Sequence, residues 1–195
     1  MLLNSQIQFS YFYYNTSGKV IEMEESELIE QLKKGDRNAK EELVRQTHDF
    51  LFNSVFQLCH DRMVAEDVVV ETYLLAFKNI KSFKGESTLR TWLYRIAKNE
   101  LMAYFNKNKR YVVKDMSHEQ AKKEADLEDY EKALLLDAME GLDIEDREVI
   151  TLVDIDGLSY EDTSTMLGIP LGTVKSRIVR ARDKLRTILK EKGYF

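Results

Sequence analysis

Basic side chains dominate the last stretch of the sequence. Lysine and arginine outnumber aspartate and glutamate eight to two between Lys175 and Lys192. On a helix, one face of this stretch also presents a hydroxyl and an apolar side chain among the cations: Lys175, Ser176, Val179, Arg180, Arg182 and Arg186. Cations can contact phosphates and guanine edges, and valine can contact a thymine methyl group. The chemistry that this set predicts is binding of duplex DNA by a helix in the major groove.

A shorter helix and a tight turn are predicted just before this stretch. Ser159 and Asp162 form a capping pair at the start of the shorter helix. Gly168 and Pro170 then end that helix, and Thr173 is expected to cap the second one. The buried face of the second helix is an apolar stripe of Val174, Ile178, Ala181, Leu185 and Ile188. This pattern predicts a helix-turn-helix with its recognition helix second, the alternative being an ordinary helical hairpin with a solvated basic face.

Composition limits the classes of protein to which the chain can belong. Of its 195 residues, 44% are hydrophobic and 32% are charged, as in soluble globular proteins. No apolar run approaches the roughly 20 residues that span a bilayer, so we expect a cytoplasmic chain without membrane insertion. The lone cysteine, Cys59, has His60 beside it, but a buried thiol is favoured over a metal site because the three histidines are scattered. We expect no metal, no cofactor and no enzyme, since neither a Gly-rich phosphate loop nor a nucleophile and base can be assembled.

The net charge of −5 is unevenly distributed along the chain. Residues 78–114 are strongly basic, residues 115–162 are mainly acidic, and the C-terminal helix is basic again. The acidic block is a plausible competitor for the sites where DNA would bind. Residues 111–129 lack apolar periodicity and predict a linker. Residues 1–22 are aromatic and nearly uncharged without the pattern of a secretory signal, so they are either a small appended element or lie outside the functional chain.

The helix predicted from Met63 to Phe77 has two different faces. One face is apolar and small, with Ala65, Val68, Val69, Thr72 and Ala76. The other face places apolar side chains between charges, in the strip Asp67, Val70, Glu71 and Leu74. Such a strip is typical of a docking surface, and the alternative is a core helix that is buried on both sides.

Aromatic and basic residues alternate in the next segment, from Phe83 to Phe105. Bases of single-stranded nucleic acid stack on aromatic rings while cations follow the backbone, so this segment is suited to a melted strand. Aromatic residues at helical spacing are more often core residues, and that alternative stays open.

Taken together, these segments resemble bacterial sigma factors of the sigma-70 family, in the extracytoplasmic-function (ECF) group, from about Met23 to the C-terminus. The matching motifs are Ala65–Tyr73 (AEDVVVETY) with Ala76 and Phe77, Phe83–Gly85, Thr91–Asn99 (TWLYRIAKN), Leu142 with Leu158–Asp162, Gly172–Arg177 (GTVKSR) and Arg180–Arg182. Their order and spacing make the match highly specific. The resemblance implies an all-α fold of two small helical domains joined by a flexible linker: region 2 at 23–110, the linker at 111–129, and the region 4 helix-turn-helix at 130–195.

The resemblance also implies partners and site residues. The chain would bind core RNA polymerase, through the β′ clamp helices and the β flap, and would start transcription at specific promoters. The strip Asp67, Val70, Glu71 and Leu74 would contact the clamp. The melted −10 element would be held by Phe83, Lys84, Ser87, Thr88, Arg90, Trp92, Tyr94, Arg95 and Lys98. The −35 duplex would be read by Thr173, Lys175, Ser176, Arg177, Val179 and Arg180, and an anti-sigma factor that can insert between the domains is a further implied partner.

The sequence departs from the family pattern at two places. Val70 stands where the family usually has glutamine, which would alter the strength of clamp binding. Thr163 and Ser164 are polar at positions where the family packs apolar residues, so the first helix of the motif should be less stable. The main alternative function is a stand-alone helix-turn-helix regulator, and a second is a degenerate relative that only binds proteins. The stand-alone regulator leaves the strip of Asp67, Val70, Glu71 and Leu74 and the aromatic and basic segment without a role.

Overall fold

The computed structural model describes residues 24–107 and 127–193, the side chains of 127–133 excepted. Every regular element in these ranges is helical: α1 Glu25–Lys34, α2 Arg37–Cys59, α3 Arg62–Asn79, α4 Leu89–Lys107, α5 Leu127–Glu140, α6 Ile144–Ile150, α7 Tyr160–Leu167 and α8 Leu171–Glu191. A 3₁₀ turn, Ile80–Ser82, follows α3, and a π-helical turn, Thr151–Ile155, continues α6. The predicted fold class, all-α with two helical domains, is confirmed. Within the described ranges no helix combines the length and apolar character needed to cross a membrane.

The first domain is a bundle of α1 to α4 in which aspartates cap the starts of α2 and α3. Asp36 accepts a 2.8 Å hydrogen bond from the backbone N–H of Ala39, and Asp61 accepts from those of Met63 and Val64. Such caps satisfy amide groups that have no partner within the helix. The bundle encloses a core of fully buried leucines that includes Leu28, Leu32, Leu43, Leu51, Leu93 and Leu101. The bundle thereby fixes the outward faces of α3 and α4.

The second domain packs α5, α6 and α7 around the long helix α8. Its core contains Met139, Leu142, Val149, Ile150, Ile178 and Ala181. Ser159 caps α7 by accepting from the backbone N–H of Asp162, and Gly168 ends it at φ 67°, a left-handed conformation that favours glycine. These contacts hold α7 and α8 in the predicted helix-turn-helix.

The prediction that Thr173 is the N-cap of α8 is wrong. The helix begins at Leu171 and not after Thr173, because the extended backbone of Pro170 makes that residue the N-cap. The Pro170 carbonyl accepts hydrogen bonds from the N–H groups of Thr173 and Val174, at 2.8 and 3.1 Å. Thr173 therefore lies inside the first turn of the recognition helix.

The two domains pack directly against each other, which the sequence did not predict. Leu152 and Met166 of the second domain are buried in the hydrophobic core of the first. Helix α2 lies against α6, and α4 lies against α7. The predicted linker lies outside the described residues up to position 126, and α5 already begins at Leu127; residues 1–22 also lie outside them.

Candidate nucleic-acid interface

The recognition helix α8 turns the predicted DNA-contacting face outward. Val174, Ile178 and Ala181 on the opposite side are fully buried. Lys175, Ser176 and Arg180 are exposed, as is Val179, at 56%. Thr173 is half-buried, and its carbonyl accepts a 3.1 Å hydrogen bond from the Ser176 hydroxyl. The helix presents an exposed valine between two cations, and its opposite face is buried in the core. Such a surface is suited to a DNA major groove that displays thymine methyl groups.

Several basic residues of α8 are engaged by acidic residues of their own domain. Arg177 lies 3.5 Å from Glu145, and its side chain is only 20% exposed. The other pairs within the domain are Arg182 with Asp154, Lys184 with Asp143 and Asp146, Arg186 with Asp183, and Lys192 with Asp137. The hydrogen-bonded Asp154 carboxylate raises the pKa of the Arg182 guanidinium. The acidic block thus neutralises one side of the helix.

Three cations of α8 have no ion-pair partner in the described part of the chain: Lys175, Arg180 and Lys190. The first two lie on the outward face in the first half of the helix. Lys190 lies in its last turn. Since pairing with a carboxylate competes with pairing to phosphate, these three cations are the ones available to DNA.

Helix α3 presents the predicted docking strip to solvent. Asp67 and Glu71 are exposed, and Val70 and Leu74 are 59% and 58% exposed. The opposite face is buried, comprising Ala65, Val68, Val69, Thr72 and Ala76. The alternative of a helix buried on both sides is therefore wrong. Met63, 76% exposed at the start of α3, lies two helical turns before Val70 and extends the apolar surface on the same face, although the predicted strip did not include it.

The predicted melted-strand residues divide into two groups, of which the first surrounds the loop before α4. Lys84, Thr88 and Arg90 are exposed, Ser87 and Trp92 are half-buried, and Phe83 is buried. The Phe83 ring packs on the Trp92 ring with centroids 5.0 Å apart. Arg90 lies 3.6 Å over the Phe50 ring, and partial burial lowers the pKa of its guanidinium. Phe83 thus supports Trp92 from inside and is not itself open to a base.

The second group, on α4, faces the second domain. The Tyr94 hydroxyl donates to Glu148 at 2.8 Å, and the Lys98 amine pairs with the same carboxylate at 2.8 Å. Arg95 donates to the main-chain carbonyls of Met166, at 3.2 Å, and Thr165. Burial, and then the Glu148 charge, raise the pKa of Tyr94 well above its usual range. The sequence did not predict the role of Glu148. It lies 54 residues after Tyr94, and no local helical pattern can reveal a contact over that separation.

Two family models match the chain, one on each domain. The model for sigma-70 region 2 matches residues 43–111, and the model for sigma-70 region 4 matches residues 132–185. The first includes α3 and α4, and the second includes the helix-turn-helix. Each model therefore falls on the domain to which the sequence motifs had assigned it.

Curated relatives and solved structures agree with this division. The RNA polymerase sigma-H factor of Pseudomonas aeruginosa is 33% identical over 180 residues, which cover 83% of this chain and 92% of the relative. The ECF RNA polymerase sigma-E factor of Escherichia coli strain K12 is 32% identical over 173 residues, covering 81% and 90%.

Among solved structures, CnrH in complex with the cytosolic domain of CnrY is similar at a TM-score of 0.67 and 26% identity, covering 84% of this chain and 96% of that one. RpoE of Bartonella quintana, in complex with the anti-sigma factor NepR, is similar at a TM-score of 0.60 and 30% identity, covering 77% and 96%. Identity above 30% over nearly the whole length of the curated relatives settles the family. The chain belongs to the sigma-70 family of RNA polymerase sigma factors, within its extracytoplasmic-function group.

Proposed function

We propose that this chain guides core RNA polymerase to promoters through three separate surfaces. The α3 strip binds polymerase, the surface around α4 holds the melted −10 strand, and the outward face of α8 reads the −35 duplex. The polymerase surface would be the β′ clamp helices for the first domain and the β flap for the second. The chain would act in the cytoplasm, where it meets polymerase and promoter DNA.

One observation favours this proposal over a stand-alone DNA-binding regulator. A solvent-exposed apolar and acidic strip, with Val70 and Leu74 each more than half exposed, lies in a different domain from the helix-turn-helix. A stand-alone regulator needs only the DNA-binding face of the helix-turn-helix. Exposed apolar side chains between carboxylates are costly to solubility and are typical of a surface that a partner covers. Two surfaces on two domains fit a protein that connects polymerase to DNA.

The direct test is transcription in vitro by core polymerase supplemented with this chain. Sheared DNA from the source genome supplies candidate promoters, and start sites are mapped by sequencing the RNA. We expect a small set of start sites that share two upstream elements. Starts that do not depend on the added chain, or that share no element, would contradict the proposal.

Two substitutions on α3 test the polymerase contact separately from folding. Leu74→Ala removes exposed apolar surface, and Glu71→Lys reverses an exposed charge, so neither disturbs the buried face of the helix. Each should weaken binding to core polymerase by about tenfold, the effect of losing one central contact. The measurement is polymerase affinity by fluorescence anisotropy, with circular dichroism to monitor the fold.

Glu41→Lys is the matched control for the charge reversal. Glu41 lies on α2 with its side chain 63% exposed, outside the strip. It should change polymerase affinity by less than about twofold. Equal losses for Glu41→Lys and Glu71→Lys would show a general charge effect and would remove the strip from the proposed interface.

We also propose an anti-sigma partner, because the similar RpoE structure is a complex with the anti-sigma factor NepR, and CnrH was likewise solved in complex with another protein, the cytosolic domain of CnrY. The packing of the domains against each other restricts how such a partner binds. A partner inserted between the domains must break the contacts of Glu148 with Tyr94 and Lys98, whereas one that wraps around the outside leaves them intact. Hydrogen exchange of α4 and α6 in the presence of a candidate partner separates these modes: faster exchange at both helices supports insertion.

A further inference from the structure

The start of α4 is held by a side chain from α1. The Glu25 carboxylate accepts a 2.5 Å hydrogen bond from the backbone N–H of Leu89, the first residue of α4, although the two residues are 64 positions apart. Thr88 supplies the local cap, since its hydroxyl oxygen accepts from the backbone N–H of Thr91 at 3.1 Å. The first amide groups of a helix have no partner within it. One of those in α4 is thus satisfied by its own cap and another by a different helix.

Helix α1 also contacts the other end of the loop that leads into α4. It packs against the 3₁₀ turn Ile80–Ser82, and Ile80 is buried in the same core as Leu28 and Leu32 of α1. In the described part of the chain, no backbone group of residues 84–87 is hydrogen-bonded to another helix. The path of this loop therefore depends on its two ends, and α1 contacts both of them.

This loop and the first turn of α4 contain most of the residues proposed to hold the melted −10 strand. They are Phe83, Lys84, Ser87, Thr88, Arg90 and Trp92. Trp92 follows Leu89 by about one helical turn, and its ring packs on that of Phe83 with centroids 5.0 Å apart. A first turn that frays would displace Arg90 and Trp92 together. The order of this turn thus decides whether the surface is ready for a strand.

The carboxylate of Glu25 has two opposite effects on a bound strand. Its side chain is exposed beside the proposed surface, so its charge repels DNA phosphates. Its hydrogen bond places a negative charge at the positive end of the α4 dipole, which stabilises the first turn. Repulsion acts on any DNA sequence alike, whereas an ordered surface favours the sequence that fits it. The two effects can therefore be measured separately.

We propose that Glu25 is a positioning residue for capture of the melted strand, because its hydrogen bond to Leu89 orders the first turn of α4 and the loop 83–88 before DNA arrives. The entropy of ordering is then lost when the protein folds and not when DNA binds, so specific binding is tighter. This inference rests on the proposed function for the identity of the surface. It gives α1, which contains none of the residues predicted for that surface, a part in strand capture.

The test compares variants of the full chain in complex with core polymerase. The probe is a labelled non-template oligonucleotide from the strongest start site mapped in the transcription assay, and a scrambled oligonucleotide measures non-specific binding. Fluorescence anisotropy gives the ratio of the two affinities. Glu25→Ala removes the hydrogen bond and should lower this ratio by about fivefold. Glu25→Gln keeps an oxygen that can accept from Leu89, so its ratio should lie within about twofold of that of the parent chain.

Glu27→Ala is the matched control for the loss of charge. Glu27 is exposed in the same first turn of α1, and no hydrogen bond joins it to α4 in the described residues. Its ratio should equal that of the parent chain. Trp92 is the only tryptophan of the chain, so the fluorescence of the free protein reports directly on the first turn of α4. Acrylamide should quench this fluorescence more strongly in Glu25→Ala than in the parent chain, Glu25→Gln or Glu27→Ala.

The possible results separate the inference from the function on which it rests. An unchanged ratio for Glu25→Ala overturns the positioning role and leaves the sigma function intact. Equal losses for Glu25→Ala and Glu25→Gln would assign the effect to charge, and a parallel loss of helix content by circular dichroism would make Glu25 a residue of the bundle as a whole. Either of these results also overturns the positioning role. A parent complex that binds both oligonucleotides equally contradicts the proposed capture of the −10 strand, and the inference with it.

Discussion

Arg180 and Lys190 are two cations of α8 that should act on DNA in different ways. Neither has an ion-pair partner in the described residues, so both are free to contact DNA. Arg180 lies beside the exposed Val179, opposite the buried Ile178, where we expect a side chain to reach base edges. Lys190 lies in the last turn and can offer only diffuse attraction to phosphates. A bidentate contact to a base provides roughly 1 to 3 kcal/mol of discrimination.

Arg180→Ala should therefore reduce transcription from the cognate promoter by about one to two orders of magnitude and relax the preference at one position of the −35 element. Lys190→Ala should weaken all promoters slightly and equally, with a shallower dependence on salt. A promoter library scored against both variants is the measurement. If Arg180→Ala lowers every promoter by the same factor, Arg180 contacts a phosphate and the helix is rotated relative to this placement.

At the scale of single elements, α7 buries a threonine hydroxyl on its inward face. Thr163 is fully buried, and its hydroxyl has no hydrogen-bond partner among the described residues. The neighbouring Ser164 is better placed, because its hydroxyl donates to the Ile169 carbonyl at 2.6 Å. The expectation that α7 is weakened by its polar residues thus applies to Thr163 and not to Ser164.

Thr163→Val should stabilise the second domain. The substitution keeps the volume of the side chain and removes a buried hydroxyl without a partner, so the free energy of unfolding should rise by about 1 kcal/mol. Thr165→Val is the matched control, since Thr165 is exposed on the same helix and should change stability by less than about 0.5 kcal/mol. Denaturant unfolding followed by circular dichroism measures both. A gain at Thr165 as large as at Thr163 would mean that the effect is one of helix propensity.

Sequence periodicity predicted elements such as α3 and α8 well because their two faces differ in composition. Alternation of small apolar and charged residues along α3 identified which side is buried, and the stripe from Val174 onward did the same for α8. The contact of Tyr94 with Glu148 could not be predicted in this way. Those residues are 54 positions apart, in different domains, and no local pattern encodes a pairing over that distance. The start of α8 was misplaced because threonine is a common cap, whereas here the extended backbone of Pro170, with ψ at 143°, places the start of the helix directly after the proline.

At the scale of the whole molecule, Asp156 links the packing of the domains to pH. It lies at the interface, where Ser54 of α2 donates to it and the positive charge of Arg90 of α4 acts on it. Burial outweighs both and raises the pKa of Asp156 to about 6. A carboxyl group whose pKa is raised by this contact stabilises the packing of the two domains when it is protonated. That stabilisation is lost as the pH rises through about 6.

The packing of the two domains should therefore weaken between about pH 4 and pH 7, by roughly 2 to 3 kcal/mol in total if Asp156 is solvated when the domains are apart. Asp156→Asn should remove this dependence and keep the domains packed at neutral pH. The radius of gyration from small-angle X-ray scattering, measured across this range, should increase for the natural chain and stay constant for the variant. An equal increase in both would assign the pH response to another group.

The hydrogen bonds from Arg95 to the carbonyls near the end of α7 have a thermodynamic consequence for promoter recognition. Those carbonyls directly precede the Gly168 turn that orients the recognition helix, so the two DNA-binding surfaces share one mechanical connection. By linkage, any factor by which melted DNA on α4 alters the affinity of α8 for duplex must equal the factor in the reverse direction. Arg95 must leave those carbonyls before it can contact DNA, so binding of melted DNA to α4 would remove this support of the Gly168 turn and change the affinity of α8 for duplex.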